Sequence, residues 1–349
     1  MTDQRAELLD GSPGNTSPAT SIAALTASIA TWAGFVLMCL GMFMAILDIQ
    51  VVVTSLPTIQ EAIDISPDQA SWVQTSYLIA EIIAIPLTGR LTHALTLRWL
   101  FVAALALFTL ASAGCAGSSD FATLVGFRTL QGFAGGVLIP AVFSAVFLLF
   151  PTRLHPAATT LAGVMAVLAP TLGPTVGGWI TETYSWRWLF LINVGPGLVT
   201  AGAAAFLLPR GRLRLSELTN LDTTSLALLI VSLASLEIGL KDAPKQGWLS
   251  LHSASLFVLS GVTGSWFLVR TRSSIAPVVQ LSALRRPALA VGCALSFCFG
   301  AGLYGSVYLM PVHLAYVRHH EAFDIGLVML VTGCTQLVTA PMAGVLSSR

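Results

Sequence analysis

Three ionisable residues interrupt long apolar runs: Asp48, Glu81 and Arg128. A charge at the centre of such a run costs about 2.5–3.5 kcal/mol even on mild insertion scales, so these side chains should face a cavity or one another. Asp48 near Arg128 would be pulled two ways, because desolvation favours the neutral acid and a guanidinium favours the carboxylate. A carboxyl balanced in this way is a switchable proton site; the alternative is a static buried ion pair. Glu81 could bind a cation in an aqueous cavity or pair structurally with a neighbouring helix. Gln131 lies one helical turn from Arg128 on the same face. Gly132, Ala134, Gly135 and Gly136 beside it would let a second helix approach closely. Gly173-Pro174 removes a helical hydrogen bond and bends the chain, and the Gly177-Gly178 pair that follows permits another tight contact.

The elements that must position these residues follow from composition. Of 349 residues, 55% are apolar and 9% charged, against about 25% charged in soluble domains. Mean hydropathy is +0.81. These values exclude an ordinary soluble enzyme, a disordered chain and a coiled coil. The cysteines (Cys39, Cys115, Cys293, Cys298, Cys334) lie in or beside apolar runs without metal-ligand spacing. A net charge of +1 gives no reason to expect a nucleic-acid partner. Ten stretches are long enough to cross a bilayer, which takes about 20 apolar residues. They are Trp32–Thr54, Trp72–Leu91, Leu100–Gly117, Phe121–Phe150, Thr159–Thr181, Trp188–Leu208, Thr223–Leu240, Ser253–Val269, Leu289–Pro311 and Ile325–Leu346. Their length and lack of alternation predict helices rather than barrel strands. The expected fold is all-α and polytopic, with the lipid bilayer as its solvent.

Arg90, Arg98, Arg153, Arg210, Arg212, Arg214, Arg270, Arg272, Arg285, Arg286 and Arg349 fall in alternate loops, against only Arg187, Lys241, Lys245 and Arg318 on the other side. The positive-inside rule then predicts both termini of the chain in the cytosol. Residues 1–31 read as a polar cytosolic tail. Residues 32–208 read as a six-helix half, 209–286 as two extra helices with cytosolic linkers, and 287–349 as the first two helices of a second half. Pro86 and Gly89 at the end of the second span recur as Pro341 and Gly344 in the tenth, and Pro57 of the first recurs as Pro311 in the ninth. Parallel repeats of this kind build many secondary transporters. On this reading about ten helices are present of an expected fourteen, and the chain ends within the repeat.

The motifs carry a resemblance. Leu47-Asp48-Ile49-Gln50-Val51-Val52-Val53-Thr54-Ser55-Leu56-Pro57 resembles the motif L-D-x-T-x-x-N-x-A-L-P of the fourteen-helix drug:proton antiporters, a branch of the major facilitator superfamily. Arg128-Thr129-Leu130-Gln131-Gly132 resembles their R-x-x-Q-G, and Gly173-Pro174-Thr175-Val176-Gly177-Gly178 their G-P-x-x-G-G. Trp186-Arg187-Trp188-Leu189-Phe190-Leu191-Ile192-Asn193-Val194 is similar to their W-R-W-x-F-x-x-N-V. The resemblance implies efflux of drugs or other small amphipathic molecules across the inner membrane, driven by protons with no bound cofactor. It implies proton coupling at Asp48, modulation by Arg128, and a leak-preventing role for the Gly173 to Gly178 motif.

The sequence also departs from that pattern. The cytosolic loop motif G-x-L-x-D-R-x-G is met by Gly89 and Leu91, but His93 stands at the Asp position and Thr96 at the second Gly. Gln50 replaces the hydroxyl residue after Asp48. Trp72, Tyr77, Glu81, Gln131 and Phe133 are the candidate substrate-cavity residues, each with packing as the plainer role. His319, His320, Glu321 and Asp324 read as a solvated loop rather than a metal site. There is no P-loop, H-E-x-x-H or G-x-S-x-G to support an ATP-driven pump or a hydrolase. The other readings are a facilitator-type uptake carrier and a non-transporting membrane fragment. Neither the substrate nor a periplasmic adaptor can be read from the residues.

Overall fold

The computed structural model describes residues 18–214, 216, 222–274, 277 and 279–318, and beyond these 324, 327–329, 331, 335, 339 and 342. The described chain is helical: α1 (Pro18–Ala62), α2 (Pro67–Gly117), α3 (Phe121–Leu149), α4 (His155–Thr183), α5 (Trp188–Leu191), α6 (Val194–Leu207), α7 (Thr223–Gln246), α8 (Leu251–Ser273) and α9 (Pro287–Tyr316). Eight helices are long and apolar enough to cross a membrane among the described residues. The tenth expected span, 325–346, lies almost wholly outside those residues, as do His319, His320 and Glu321.

Two boundaries differ from the sequence expectation. Helix α1 starts at Pro18, so residues 18–31 of the expected tail are helical; a proline at the first helical position loses no hydrogen bond. The second and third spans form one element, α2, bent at Thr96, whose backbone is not helical (φ 68°, ψ 155°). The segment expected between the two spans, Thr92 to Trp99, is therefore helix apart from the kink at Thr96, and the break is compressed into a single residue. The segment after α6 completes this junction. The Arg214 N–H donates to the Ala94 carbonyl at 2.8 Å, and the Arg98 guanidinium donates to the carbonyls of Leu208 and Ala205. Carbonyls left over at two helix ends are thereby satisfied.

Helix starts follow local chemistry. Ser66 and Gln69 form a reciprocal capping box at α2, with Pro67 next in line. The Asp120 side chain accepts the Thr123 N–H at α3, and these hydrogen bonds hold its carboxyl below the usual range. The single span expected from Trp188 to Leu208 is interrupted at Ile192 and Asn193, between α5 and α6. Pro196 has no N–H to offer the Ile192 carbonyl four residues earlier, which loosens the turn there.

In the bundle α2 packs along α3, α1 along α4, and α6 against α1 and α2, while α7 and α8 form a hairpin that touches α2. The core centres on α1, with Phe35, Met38 and Met42 against Phe101, Phe108 and Leu138.

Candidate functional site

The site begins with Arg128. It is fully buried in α3, so its donors must find acceptors within the protein. One guanidinium nitrogen donates to Asp48 Oδ2 at 2.5 Å and to Gln131 Oε1 at 2.8 Å. Its Nε donates to the Val73 carbonyl at 3.2 Å, and the remaining nitrogen to Gln74 Oε1 at 3.4 Å. The Tyr77 ring lies 4.3 Å from the guanidinium carbon, with the Phe190 ring on another side at 5.9 Å. The cation is thus held by a carboxylate, two amides, a backbone carbonyl and an aromatic face.

Asp48, equally buried, is satisfied from both sides. Its Oδ2 takes the arginine bond. Its Oδ1 accepts from Asn193 Nδ2 at 2.7 Å and Gln131 Nε2 at 2.9 Å. Both amides also donate to Ser112 Oγ, at 3.2 and 2.6 Å, and the Cys115 thiol donates to Gln131 Oε1 at 3.7 Å. Five segments therefore meet at one carboxylate: α1 through Asp48, both arms of α2, α3, and the α5–α6 junction. The Asn193 side chain reaches the carboxylate from the interrupted turn ahead of Pro196. An ion pair this deep survives only when the remaining lone pairs and protons are also satisfied, as they are here.

Close approach of the helices makes this possible. A Cβ on Gly132 would collide with the backbone of Tyr77, and one on Gly136 with the backbone of Glu81. On the opposite side of α1, Gly173 of α4 packs on Gln50, and Gly177 on Val51 and Thr54. Pro174 and Gly178 are buried beside them. The Ser55 and Thr181 hydroxyls are hydrogen-bonded at 2.6 Å along the same seam. The glycine motif of α4 thus braces the helix that carries Asp48 without touching the carboxylate.

The other expected site residues divide. Gln131 and Tyr77 belong to the Asp48 cluster; Tyr77 is buried beneath Arg128 and donates to the Ala45 carbonyl at 3.2 Å. Trp72 lies away from it, with the Lys241 ammonium of α7 3.6 Å from its ring centre. Phe133 packs, half-buried, against the core. Glu81 is buried one turn beyond Tyr77. Gly89 and His93 are exposed on the helix before Thr96, and Leu91 is half-buried there. Asn193, Ser112 and Gln74 were not among the expected site residues. A lone Asn within an apolar run was a readable signal for Asn193, whereas a serine in an Ala-rich helix and a glutamine near a helix start gave none.

The comparisons with known proteins give the family. The family model described as Major Facilitator Superfamily matches residues 38–349. The chain is 37% identical over 311 residues to the colistin resistance protein EmrB of Acinetobacter baumannii, covering 89% of this chain and 61% of that protein. It is 31% identical over 306 residues to the multidrug export protein EmrB of Escherichia coli K12, covering 87% and 60%. It is also 31% identical over 307 residues to the fatty acid resistance protein FarB of Neisseria gonorrhoeae, with the same coverage of 87% and 60%. The chain spans about 60% of the length of these curated relatives. Among solved structures, the proton:xylose symporter XylE bound to 6-bromo-6-deoxy-D-glucose superposes with a TM-score of 0.61 at 15% identity, over 91% of this chain and 69% of that one. That likeness gives the fold, an all-helical major facilitator architecture.

Proposed function

The chain belongs to the major facilitator superfamily, and from that premise we propose that it forms the proton-coupling half of an efflux antiporter for small amphipathic molecules. The relatives named for multidrug export and for colistin and fatty acid resistance support efflux. The observation that carries the coupling role is the Asp48–Arg128 pair, closed off by Gln131 and Asn193. With Asp48 ionised the cluster is neutral and ties α1 to α3 and to the α5–α6 junction. A proton on Asp48 leaves the guanidinium charge unbalanced in a low-dielectric interior and turns one carboxylate oxygen from an acceptor into a donor. Neither Asn193 nor Arg128 can accept that proton's hydrogen bond through its donating nitrogens. The joints therefore loosen together, and the six-helix half can rock against its partner helices. Outward release of substrate and inward release of the proton complete the cycle. The proton gradient is the energy source, and the chain acts as a transporter rather than an enzyme. The excess of positive residues in alternate loops supports cytosolic termini for this chain at the inner membrane.

Reconstitution of the chain into liposomes tests this reading, with dye movement following an imposed pH gradient. Gradient-driven movement is expected when the chain is reconstituted with a complete second half, and is lost in Asp48→Asn, which keeps the shape and most hydrogen bonds. Infrared difference spectra between acid and alkaline conditions supply a readout independent of transport. A carboxylic C=O band that vanishes in Asp48→Asn is expected, and its persistence would remove Asp48 as the proton site.

A further inference from the structure

The loops of the six-helix half that read as cytosolic carry bases without acids. Between Glu81 and Asp120, between Asp120 and Glu182, and between Glu182 and Glu217 the sequence has no carboxylate side chain. Arg90, Arg98, Arg153, Arg210, Arg212 and Arg214 fall in these stretches. Arg210-Gly211-Arg212-Leu213-Arg214 puts an arginine at every second residue, and all three are exposed. None of the three is ion-paired with another described residue, and Asp222, the next described carboxylate along the chain, is taken by Arg270. The run is held in place. The Arg214 N–H is hydrogen-bonded to the Ala94 carbonyl, Gly211 packs on Thr96, and Arg98 binds the carbonyls of Ala205 and Leu208 just ahead of the run. Three guanidiniums are thereby carried at one place beside the kink of α2.

The depth of the run says what it meets. The membrane span that closes with α6 ends at Leu207, so Arg210 follows almost at once, at the level of the lipid headgroups. Exposed apolar side chains accompany the charges: Phe206 and Leu207 before the run, Leu213 inside it, and Trp99 beside Arg98. Tryptophan and arginine at this level suit a surface that is apolar on one side and charged on the other. A nucleic acid or an acidic protein would meet the arginines and leave these apolar groups in water. An anionic lipid meets both, its phosphate accepting from the guanidiniums and its chains covering the apolar groups. We propose that Arg210, Arg212 and Arg214 form a docking surface for the headgroups of anionic phospholipids, with Leu213 entering the acyl boundary. The leaflet is named by the orientation given above; the surface itself is independent of the efflux mechanism.

The test is native mass spectrometry of the full chain in neutral detergent micelles, titrated with dioleoylphosphatidylglycerol or dioleoylphosphatidylcholine. Retention of the anionic lipid well above the zwitterionic one is expected. Equal retention would overturn the proposal, because the arginines would then be covered by something other than lipid. An arginine at an anionic surface contributes about fivefold in affinity, so R210Q, R212Q and R214Q together should weaken phosphatidylglycerol binding on the order of 100-fold. Arg285→Gln with Arg286→Gln, exposed arginines ahead of α9, should leave it nearly unchanged. An equal loss in both variants would reduce the effect to overall charge and overturn the site. Displacement of the lipid by inorganic phosphate would overturn the choice of lipid as occupant. Should the triple variant not fold, Arg212→Gln alone decides: a loss of about fivefold is expected, and no loss would overturn the proposal. The measurement needs no pH gradient, so it stands or fails apart from the dye and infrared tests of proton coupling.

Discussion

The glycines of the six-helix bundle and those of α9 sit in helices of similar apolar character, yet their surroundings are opposite. Gly132 and Gly136 of α3 face the backbone of α2 so closely that a methyl group cannot be added, and Gly177 of α4 faces α1 in the same way. Among the described residues, Gly292, Gly300, Gly302 and Gly305 of α9 meet nothing within 4 Å. The α7–α8 hairpin lies between these extremes. Gly239 packs on Phe257 and Gly264 on Ser232, and the Ser232 and Ser260 hydroxyls each donate to the other residue's carbonyl, at 3.0 and 2.9 Å. Apolarity puts a helix in the membrane; it does not choose its neighbour. In the bundle the choice is made by small residues and by a polar cluster that is satisfied in one arrangement only.

The largest expected effect breaks the comparison directly. Gly132→Leu places a side chain against the Tyr77 backbone, which cannot yield as a flexible side chain would. Overpacking alone costs about 1–3 kcal/mol, and here Arg128 and its partners are displaced as well. We expect loss of monodisperse protein on size-exclusion chromatography in detergent. Gly300→Leu on α9 should leave yield and elution unchanged. Equal tolerance of both would mean that the α2–α3 contact is looser than described.

A smaller effect, of opposite sign, concerns a position where glycine is absent and the backbone favours it. Thr96 has φ 68° and ψ 155°, a region populated almost only by glycine and costing of order 1–3 kcal/mol for other residues. Its hydroxyl is buried without a hydrogen bond, and Gly211 packs on its methyl. Thr96→Gly should raise the thermal midpoint in detergent by a few degrees, as a gain of about 1 kcal/mol implies. A lower midpoint would show that the Thr96 side chain contributes more through Gly211 than its backbone costs.

The same residues mark how far the sequence could be read. The spans and the three buried charges were legible because an ionisable group in an apolar run is costly, and the run length is set by the bilayer. That Asp48 meets Arg128 was open until helix positions were known. The roles of Tyr77 and Trp72 were not legible. An aromatic ring in an apolar helix serves equally as cavity wall, as a lid on a guanidinium or as a platform for a lysine, and helix rotation decides among these. A break between the second and third spans was expected, but its confinement to Thr96 was not legible, because the residue types there favour continued helix and the kink is held by the segment around Arg214, far along the chain. Asn193 stood in a recognised run, but its role depends on a turn loosened by Pro196.

The smallest effect is expected at the joint of the α7–α8 hairpin, where the comparison is sharpest because charge is exposed. Asp222 caps α7, with Oδ1 accepting the Ser225 N–H at 3.1 Å and Oδ2 the Ser225 hydroxyl at 2.7 Å. Arg270 of α8 donates to both oxygens at 3.1 Å. These bonds hold the Asp222 carboxyl down at about 2, with Arg270 as the largest cause. An unfolded aspartate titrates near 3.9, so the contribution is complete above that pH and is lost as pH falls through about 2. Its size is limited because Arg270 is half-exposed, and such pairs contribute about 0–1 kcal/mol. Asn is as good a helix cap as Asp, so Asp222→Asn removes the charge and keeps the cap. The thermal midpoint should fall by no more than about 2 °C at neutral pH, and the difference should vanish at the acid end. A larger fall would mean that this end, rather than the Ser232–Ser260 seam and the apolar faces around it, holds the hairpin together, and that the hairpin resembles the bundle in depending on one polar joint.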